Sequence, residues 1–137
     1  MRIRFLIVLT CLLFLTGCVP NIGLGGREET ILTEQFVEGK VVEGFPALPL
    51  FPKSEVIESY GKDGKYGAAF ISSGDLVKVV NFYNDSLPRS GWQVSLKQQS
   101  ETNYFFEIKN DQLEGAIIIN TAADGKKTAI TISTAPR

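Results

Sequence analysis

Histidine is absent from this sequence of 137 residues, and both cysteines, Cys11 and Cys18, lie close to its start. Ser-His-Asp hydrolases, cysteine proteases, His/Cys zinc sites and His-ligated haem all depend on one of these two residue types. The acidic residues follow no Asp-x-Asp-x-Asp pattern, and their spacing does not indicate a catalytic carboxylate pair. We therefore expect no enzymatic activity, no catalytic residues, no cofactor and no bound metal.

Clustered positive charge is also missing. If residues 1–17 are removed with Arg2 and Arg4, the 14 basic residues become 12 against 15 acidic ones, so the net charge is −3. Nucleic acid binding requires grouped Lys and Arg, whereas the only adjacent basic pair, Lys126-Lys127, lies in a predicted hairpin loop. We expect no nucleic acid partner.

No apolar run near the start is long enough to cross a membrane. Residues 5–15 number eleven and are interrupted only by Thr10 and Cys11, whereas a membrane-spanning helix needs about 20 residues. Two arginines precede this run and small residues follow it, which is the layout of a cleavable secretory signal. Residues 1–17 are therefore predicted to be a signal peptide that is removed.

The end of that segment, Leu15-Thr16-Gly17-Cys18, resembles the lipobox of bacterial lipoproteins. The resemblance implies cleavage before Cys18 and lipidation of its thiol, and two or three acyl chains hold a protein at a membrane far more firmly than one. No free thiol would then remain for a disulfide. The alternative is an ordinary signal peptide in which the cysteine occurs by chance.

The resemblance to lipoproteins also implies a location in the cell envelope. The protein would be lipid-anchored on the exported side of a membrane. Val19 follows the cysteine, where an Asp would imply retention in the inner membrane of Gram-negative bacteria. In a cell with two membranes, the expected location is therefore the periplasmic face of the outer membrane.

Residues 18–44 are predicted to be the lipidated cysteine and a flexible tether. Residues 19–26 are rich in glycine and also contain a proline, which suits a linker. The run Gly23-Leu24-Gly25-Gly26 neither follows a strand nor opens a clear helix, so it does not indicate a phosphate loop. Residues 27–43 fit either a short amphipathic helix around Leu32, Phe36 and Val37 or a partly ordered linker.

Residues 45–52 form a segment that we call the strap, with prolines at positions 46, 49 and 52. Proline favours an extended backbone both at its own position and at the residue before it. The strap is either a peptide that docks in an aromatic groove elsewhere or a lead-in that covers an edge or end of the domain. The second interpretation is favoured because Phe45, Leu48, Leu50 and Phe51 are costly to leave in water.

After the strap the chain shows clear periodicity. Residues 55–60 and 65–72 are β-rich runs around Gly61-Lys62-Asp63-Gly64, which indicates a hairpin. A helical period then follows, with a hydroxyl of Ser72-Ser73 available as N-cap, Asp75 in the first turn, and Pro88 and Gly91 at the end. Its apolar positions are Leu76, Val79, Val80, Tyr83 and Leu87.

Four further runs alternate apolar and polar residues, and their short connections require antiparallel neighbours. The prediction is one α+β domain, residues 45–137. It consists of an antiparallel sheet of about six strands, in the order β-β-α-β-β-β-β, with one long helix packed on one face.

The sheet face opposite the helix is the candidate contact surface. Trp92, Phe106, Ile117 and Ile130, with the other apolar alternating positions, are predicted to point toward the helix. The opposite face is mostly polar, but it contains two apolar residues, which is typical of some contact surfaces. The alternative is a solvated face with two incidental apolar residues, or one partly covered by the strap. The candidate contact face consists of Phe105, Ile118, Gln93, Asn103 and Thr131.

The sequence from Phe51 onward resembles a small α/β domain that occurs in bacterial secreted proteins and lipoproteins. The resemblance is carried by Phe-Pro-Lys-Ser-Glu-Val-Ile, by Leu-Val-Lys-Val-Val-Asn-Phe-Tyr with its Tyr83, and by Leu-Pro-Arg-Ser-Gly-Trp-Gln-Val with its Gly91-Trp92 pair. These are packing motifs, so the resemblance implies a fold and no catalytic residue.

Two functions remain open. The first is a non-enzymatic envelope lipoprotein that is held at the membrane by acyl chains on Cys18 and binds another envelope component, for example a protein. The second is a binder of a small amphiphile or glycan in a cleft between the strap and the sheet.

Overall fold

The computed structural model describes residues 35–137, and all structural statements below concern that range. The predicted signal peptide, the predicted lipobox with Cys18 and the part of the predicted tether up to residue 34 lie outside the described residues. The described chain forms seven strands and one helix, α1 (Leu76–Arg89). The strands are β1 (Gln35–Glu38), β2 (Glu55–Lys62), β3 (Lys65–Ser72), β4 (Gln93–Ser100), β5 (Asn103–Lys109), β6 (Leu113–Thr121) and β7 (Thr128–Pro136).

The strands form a single sheet in the order β1-β2-β3-β7-β6-β5-β4. All neighbouring pairs are antiparallel. α1 connects β3, inside the sheet, to β4 at the far edge, and the chain then returns by short connections until β7 pairs with β3. The α+β class with a single helix is confirmed, but the sheet has seven strands where about six were predicted.

The additional strand is β1, which lies in a stretch assigned to the tether. Gln35 is opposite Gly61 and Glu38 is opposite Glu58 in the pairing of β1 with β2. Residues 35–38 are therefore extended, and the amphipathic helix considered for this stretch does not form there. Because β1 is hydrogen-bonded to β2, the sheet includes residues 35–38, which come before residue 45.

The predicted hairpin is present as β2 and β3. The two strands are joined by Asp63 and Gly64, which have φ values of 52° and 76°, and Lys62 is opposite Lys65 across the turn. Positive φ at both central residues matches the right-handed twist of paired strands, which is why such turns close hairpins.

The N-cap of α1 is Asp75, not a serine. Its carboxylate Oδ1 accepts a hydrogen bond from the Val77 backbone N–H at 3.0 Å. The hydroxyl of Ser72 instead accepts the Gly74 N–H at 3.0 Å, one turn too early to cap the helix. The sequence predicted a serine hydroxyl as the N-cap and placed Asp75 within the first turn. The serine prediction was wrong, because Ser72 still belongs to β3 and the helix begins only after Asp75.

The C-terminal end of α1 follows the predicted glycine exit. Gly91 has a φ of 85°, and the Trp92 N–H donates to the Leu87 carbonyl at 3.1 Å while the Gly91 N–H donates to the Pro88 carbonyl at 3.1 Å. This is the Schellman pattern, in which a residue without Cβ takes the left-handed position. Pro88 lies inside the last turn rather than beyond it.

The core lies between α1 and one face of the sheet. The helix buries the side chains of Val79, Val80, Tyr83 and Leu87, as its spacing predicts. They belong to one cluster with alternating strand residues that are at most 2% exposed, namely Phe106, Ile108, Ile117, Ile119, Ile130 and Ile132. Fully burying each such side chain contributes about 1.5–3 kcal/mol.

The strap fills the part of this same face that α1 leaves uncovered. Leu48 belongs to the core cluster, and Phe45 and Phe51 pack against it. The ring of Phe51 meets that of Phe82 edge-on at a centroid distance of 5.3 Å, and Phe45 meets Tyr66 at 6.2 Å. The lead-in interpretation therefore describes the strap, because its aromatic residues are part of the domain's own packing.

Ser59 fixes the chain just before the strap. Its side chain is fully buried in β2, and its Oγ accepts the Val42 N–H at 2.7 Å while the hydroxyl donates to the Lys40 carbonyl at 3.0 Å. One buried hydroxyl thus satisfies the buried N–H of Val42 and also binds the carbonyl of Lys40, since buried polar groups require partners.

Candidate functional site

We call the sheet surface opposite α1 the open face, because no described residue packs over it as a second layer. Side chains alternate between the two faces along each strand. The five candidate contact residues all lie on the open face by this alternation. Gln93 and Thr131 are exposed, whereas Asn103, Phe105 and Ile118 are partly buried.

Phe105 and Ile118 are direct neighbours. The register places them opposite each other on β5 and β6, with Lys97 on the other side of Phe105 and Thr131 on the other side of Ile118. Residues directly opposite in antiparallel strands have Cβ atoms about 5 Å apart. The predicted apolar pair of the contact face is therefore formed.

The other candidates are spread along the sheet. Gln93 is opposite Lys109 at one end of β5, and Asn103 lies at the other end. Six residues of extended chain separate these ends, which corresponds to about 20 Å. The Oδ1 atom of Asn103 is buried and makes no hydrogen bond within the described part of the chain. The five candidates thus do not form one compact site.

A groove with a volume of about 800 Å³ crosses the open face at the end that contains Gln93. Tyr60 and Lys65 line one side, Gln93, Ser95 and Glu107 line the other, and Ser133 lies between them. Because Glu107 and Phe105 are two residues apart on β5, the groove begins about 7 Å from the apolar pair on the same face.

Small residues at the centre of the sheet make this surface concave. The register aligns Glu107, Ala116, Ser133, Gly67 and Tyr60 in one row across five strands. A Cβ atom on Gly67 would lie 2.2 Å from Cζ of Tyr60, so the phenol ring lies directly over the glycine. The outer side of the ring remains available, since Tyr60 is 48% exposed.

Phe36 lengthens the aromatic side of the groove. It is opposite Tyr60 in the pairing of β1 with β2, and its side chain is 57% exposed. Two aromatic side chains therefore stand next to each other on the open face, although Phe36 itself does not line the groove.

The charges around the groove are unequally compensated. Lys97 Nζ lies 2.7 Å from Glu107 Oε1, and Lys109 is opposite Glu114 on the neighbouring strand. Lys65 is opposite Lys62, a residue of the same sign. Among residues 35–137, no ion pair with a carboxylate is formed by Lys65. Lys65 is therefore a cation of the groove that no carboxylate among these residues pairs with.

No cleft between the strap and the sheet contributes to the groove. The groove is lined by strand residues on the opposite side of the sheet, and the strap side chains are packed into the core. The groove is therefore not the predicted cleft between strap and sheet, and an amphiphile or glycan site in that cleft stays a prediction.

The strongest electrostatic perturbation belongs to the core rather than to the groove. Burial raises the pKa of Tyr83 to about 12, while a hydrogen bond with the backbone of Phe51 partly opposes this shift. The phenol joins the strap to the helix and stays neutral at ordinary pH. Its role is structural, because Tyr83 is 1% exposed and belongs to the core cluster.

The β6–β7 loop lies at the end of the sheet away from the groove and contains Lys126-Lys127, as predicted. Backbone N–H groups of Lys127 and Lys126 donate to Asp124 Oδ1 at 2.9 and 2.8 Å. These bonds lower the pKa of Asp124. The basic pair is thus part of a self-contained turn.

The described residues contain neither a cluster of metal-ligating side chains nor a membrane-spanning helix. Within residues 35–137, no group of three or more Asp, Glu, His or Cys residues is arranged to hold a metal ion. In the same range, no helix combines the length and the apolar character needed to cross a membrane.

Comparison with known proteins gave no match. No family model, no curated protein and no solved structure matches the chain. The resemblance of its motifs to lipoproteins and to a small α/β domain therefore stays a prediction.

The sequence prediction of the contact face missed Tyr60 and Lys65. It considered only β4 to β7, although the alternation in the predicted hairpin could have placed Tyr60 and Gly67 on the same face. The position of Lys65 beside Ser133 depends on the pairing of β3 with β7, which joins residues 56 to 68 positions apart.

Proposed function

We propose that the protein is a non-enzymatic lipoprotein of the cell envelope, anchored by acyl chains on Cys18, whose open face binds another envelope component. The observation that carries the second part is the groove of about 800 Å³ beside the Phe105–Ile118 pair. Specific contact sites combine concave shape, apolar atoms and a small number of polar groups.

The distribution of burial supports this use of the open face. The core side of the sheet is packed by α1 and by the strap, whereas the open face keeps two aromatic residues and an apolar pair in partial contact with solvent. Scattered apolar residues on a surface are common, but here Tyr60 lines the groove, Phe36 is its neighbour, and the apolar pair begins about 7 Å away. Binding at this face would bury them without disturbing the core.

Mass spectrometry of the protein purified from its native membrane tests the anchor. We expect an N-terminus at Cys18 with acyl groups on its sulfur and amine. Replacement Cys18→Ser should release the protein from the membrane fraction. An intact Met1, or an unmodified sulfur at residue 18, would refute the anchor.

Crosslinking in intact cells, followed by recovery of the detergent-solubilised full chain, tests the contact face. We expect Phe105→Glu with Ile118→Glu to abolish a crosslinked partner that the unmodified chain recovers. The matched control is Val77→Glu, because Val77 is an apolar residue on α1 that is 55% exposed on the other side of the domain. Equal recovery with both variants would remove the open face from the proposal.

A further inference from the structure

We propose that the groove binds an acidic saccharide, with a sugar ring stacked on Tyr60 and its carboxylate paired with Lys65. This inference rests on the proposed function, since it names the chemical class of the component that the open face would bind. It is carried by the position of one exposed ring beside one uncompensated cation.

Tyr60 provides the stacking surface. Its ring lies on Gly67, where no side chain intervenes, so one side is fixed against the sheet and the other faces the groove. A tyrosine held in this way offers a large rigid surface whose ordering costs little further entropy on binding. The apolar face of a pyranose ring fits such a flat surface.

Lys65 provides the charge. Tyr60 is opposite Gly67, and Lys65 lies two residues from Gly67 on β3, so the Cα atoms of Tyr60 and Lys65 are diagonal neighbours about 7–8 Å apart. The long lysine side chain can therefore reach a carboxylate on a ring that stacks on Tyr60. Lysine–carboxylate hydrogen bonds are about twice as strong as neutral ones.

The remaining charges explain why the ligand carries a negative group and not a positive one. Glu107 is neutralised by Lys97, and Glu114 is opposite Lys109. Lys65 has only Lys62 opposite it. An anionic group placed at Lys65 gains attraction, whereas a cation placed there is repelled by the Lys65 ammonium.

The polar lining favours a saccharide over a peptide. Ser95, Ser133 and Gln93 offer hydroxyl and amide groups to ligand hydroxyls on the far side of the groove. Peptides are usually bound along a sheet edge or through apolar pockets for their side chains. This groove lies on the face of the sheet, and the residues between its two sides are small.

Isothermal titration calorimetry of the purified full chain tests the inference. The probe is a tetrasaccharide of alternating glucuronic acid and N-acetylglucosamine, compared with the neutral tetramer of N-acetylglucosamine. We expect the acidic probe to bind about tenfold more tightly, as a charged hydrogen bond implies. The difference should shrink at high salt, because salt screens exposed charges.

Two variants separate the two contacts. Lys65→Gln should remove the preference for the acidic probe and leave binding of the neutral one unchanged. Tyr60→Leu keeps an apolar side chain over Gly67 and should weaken the binding of both probes about fivefold. Lys78→Gln is the matched control, since Lys78 is an exposed lysine on α1, and its variant should bind like the unmodified chain. Thermal unfolding of each variant verifies folding.

Several outcomes would overturn the inference: no heat of binding with millimolar acidic tetrasaccharide, equal binding of both probes, or a preference that survives in Lys65→Gln. Tighter binding of tetraglutamate than of the acidic saccharide would assign the groove to acidic peptides instead. If the saccharide fails while the crosslinked partner still depends on Phe105 and Ile118, only this inference is lost and the proposed function stands.

Discussion

Two consecutive residues of β5 show how different the two faces of the sheet are. Phe106 is fully buried under α1, whereas Phe105, on the open face, is only partly buried. The core face is covered by a helix and by the strap, and its apolar side chains form one cluster. The open face holds a groove and scattered polar residues. Stability is therefore concentrated on one side of the sheet, which leaves the other side free for binding.

The largest expected effect comes from truncating these two phenylalanines. Phe106→Ala should lower the free energy of unfolding by about 3–5 kcal/mol, because it leaves a cavity beneath α1. Phe105→Ala should lower it by only about 1 kcal/mol, the ordinary cost of a point mutation. Urea denaturation of both variants measures the difference. Equal losses would mean that side chains on the open face stabilise the fold as much as side chains in the core do.

Alkaline pH tests the covered face through Tyr83. Burial raises the pKa of this phenol to about 12 in the folded protein, from an ordinary value of 10.0, so folding favours the neutral form. The stabilisation is complete below pH 10 and is lost as the pH rises through 12, with a maximum of about 3 kcal/mol.

Urea denaturation between pH 8 and pH 11.5 measures this loss. Tyr83→Phe is the control, because it keeps the ring and removes the ionisable group. We expect the unmodified protein to lose stability above pH 10 more steeply than the variant. Parallel curves would show that ionisation of Tyr83 does not limit the alkaline stability of the core face.

The smallest effect is expected on the open face, at the ion pair of Lys97 and Glu107. Both side chains are more than half exposed, at 58% and 53%. A double-mutant cycle with Lys97→Ala and Glu107→Ala should give a coupling energy below about 0.5 kcal/mol that decreases in 1 M NaCl. A coupling of several kcal/mol would contradict the division between a stabilising and a binding face.

The sequence predicted most of the fold because the periodicity of its apolar residues and the positions of its turn residues indicate the same elements. Asp63-Gly64 marks the hairpin, and Gly91 marks the end of α1. The alternation of Ile117, Ile119, Ile130 and Ile132 identifies the core face. These are local signals, and the structure places each of them as expected.

Other features depend on contacts that no local pattern contains. β1 has only four residues. In so short a stretch, two adjacent apolar residues, Phe36 and Val37, do not distinguish the period of a strand from that of a helix. The sequence assigned the N-cap to a serine hydroxyl and Asp75 to the first turn, and the correct assignment depended on where β3 ends. The groove arises where β2, β3 and β7 bring Tyr60, Lys65 and Ser133 together, so it required the register of the whole sheet.

The pairing of β1 also determines where the described chain begins relative to the groove. Gln35 is opposite Gly61, and Pro136 is opposite Leu113, so both ends of the described chain leave the sheet beside the groove. The groove entrance therefore lies at the end of the sheet where the described chain begins and ends. A tag fused after Arg137 would crowd this entrance. A reporter placed in the β6–β7 loop around Asp124 would stand at the far end of the sheet and leave the entrance clear.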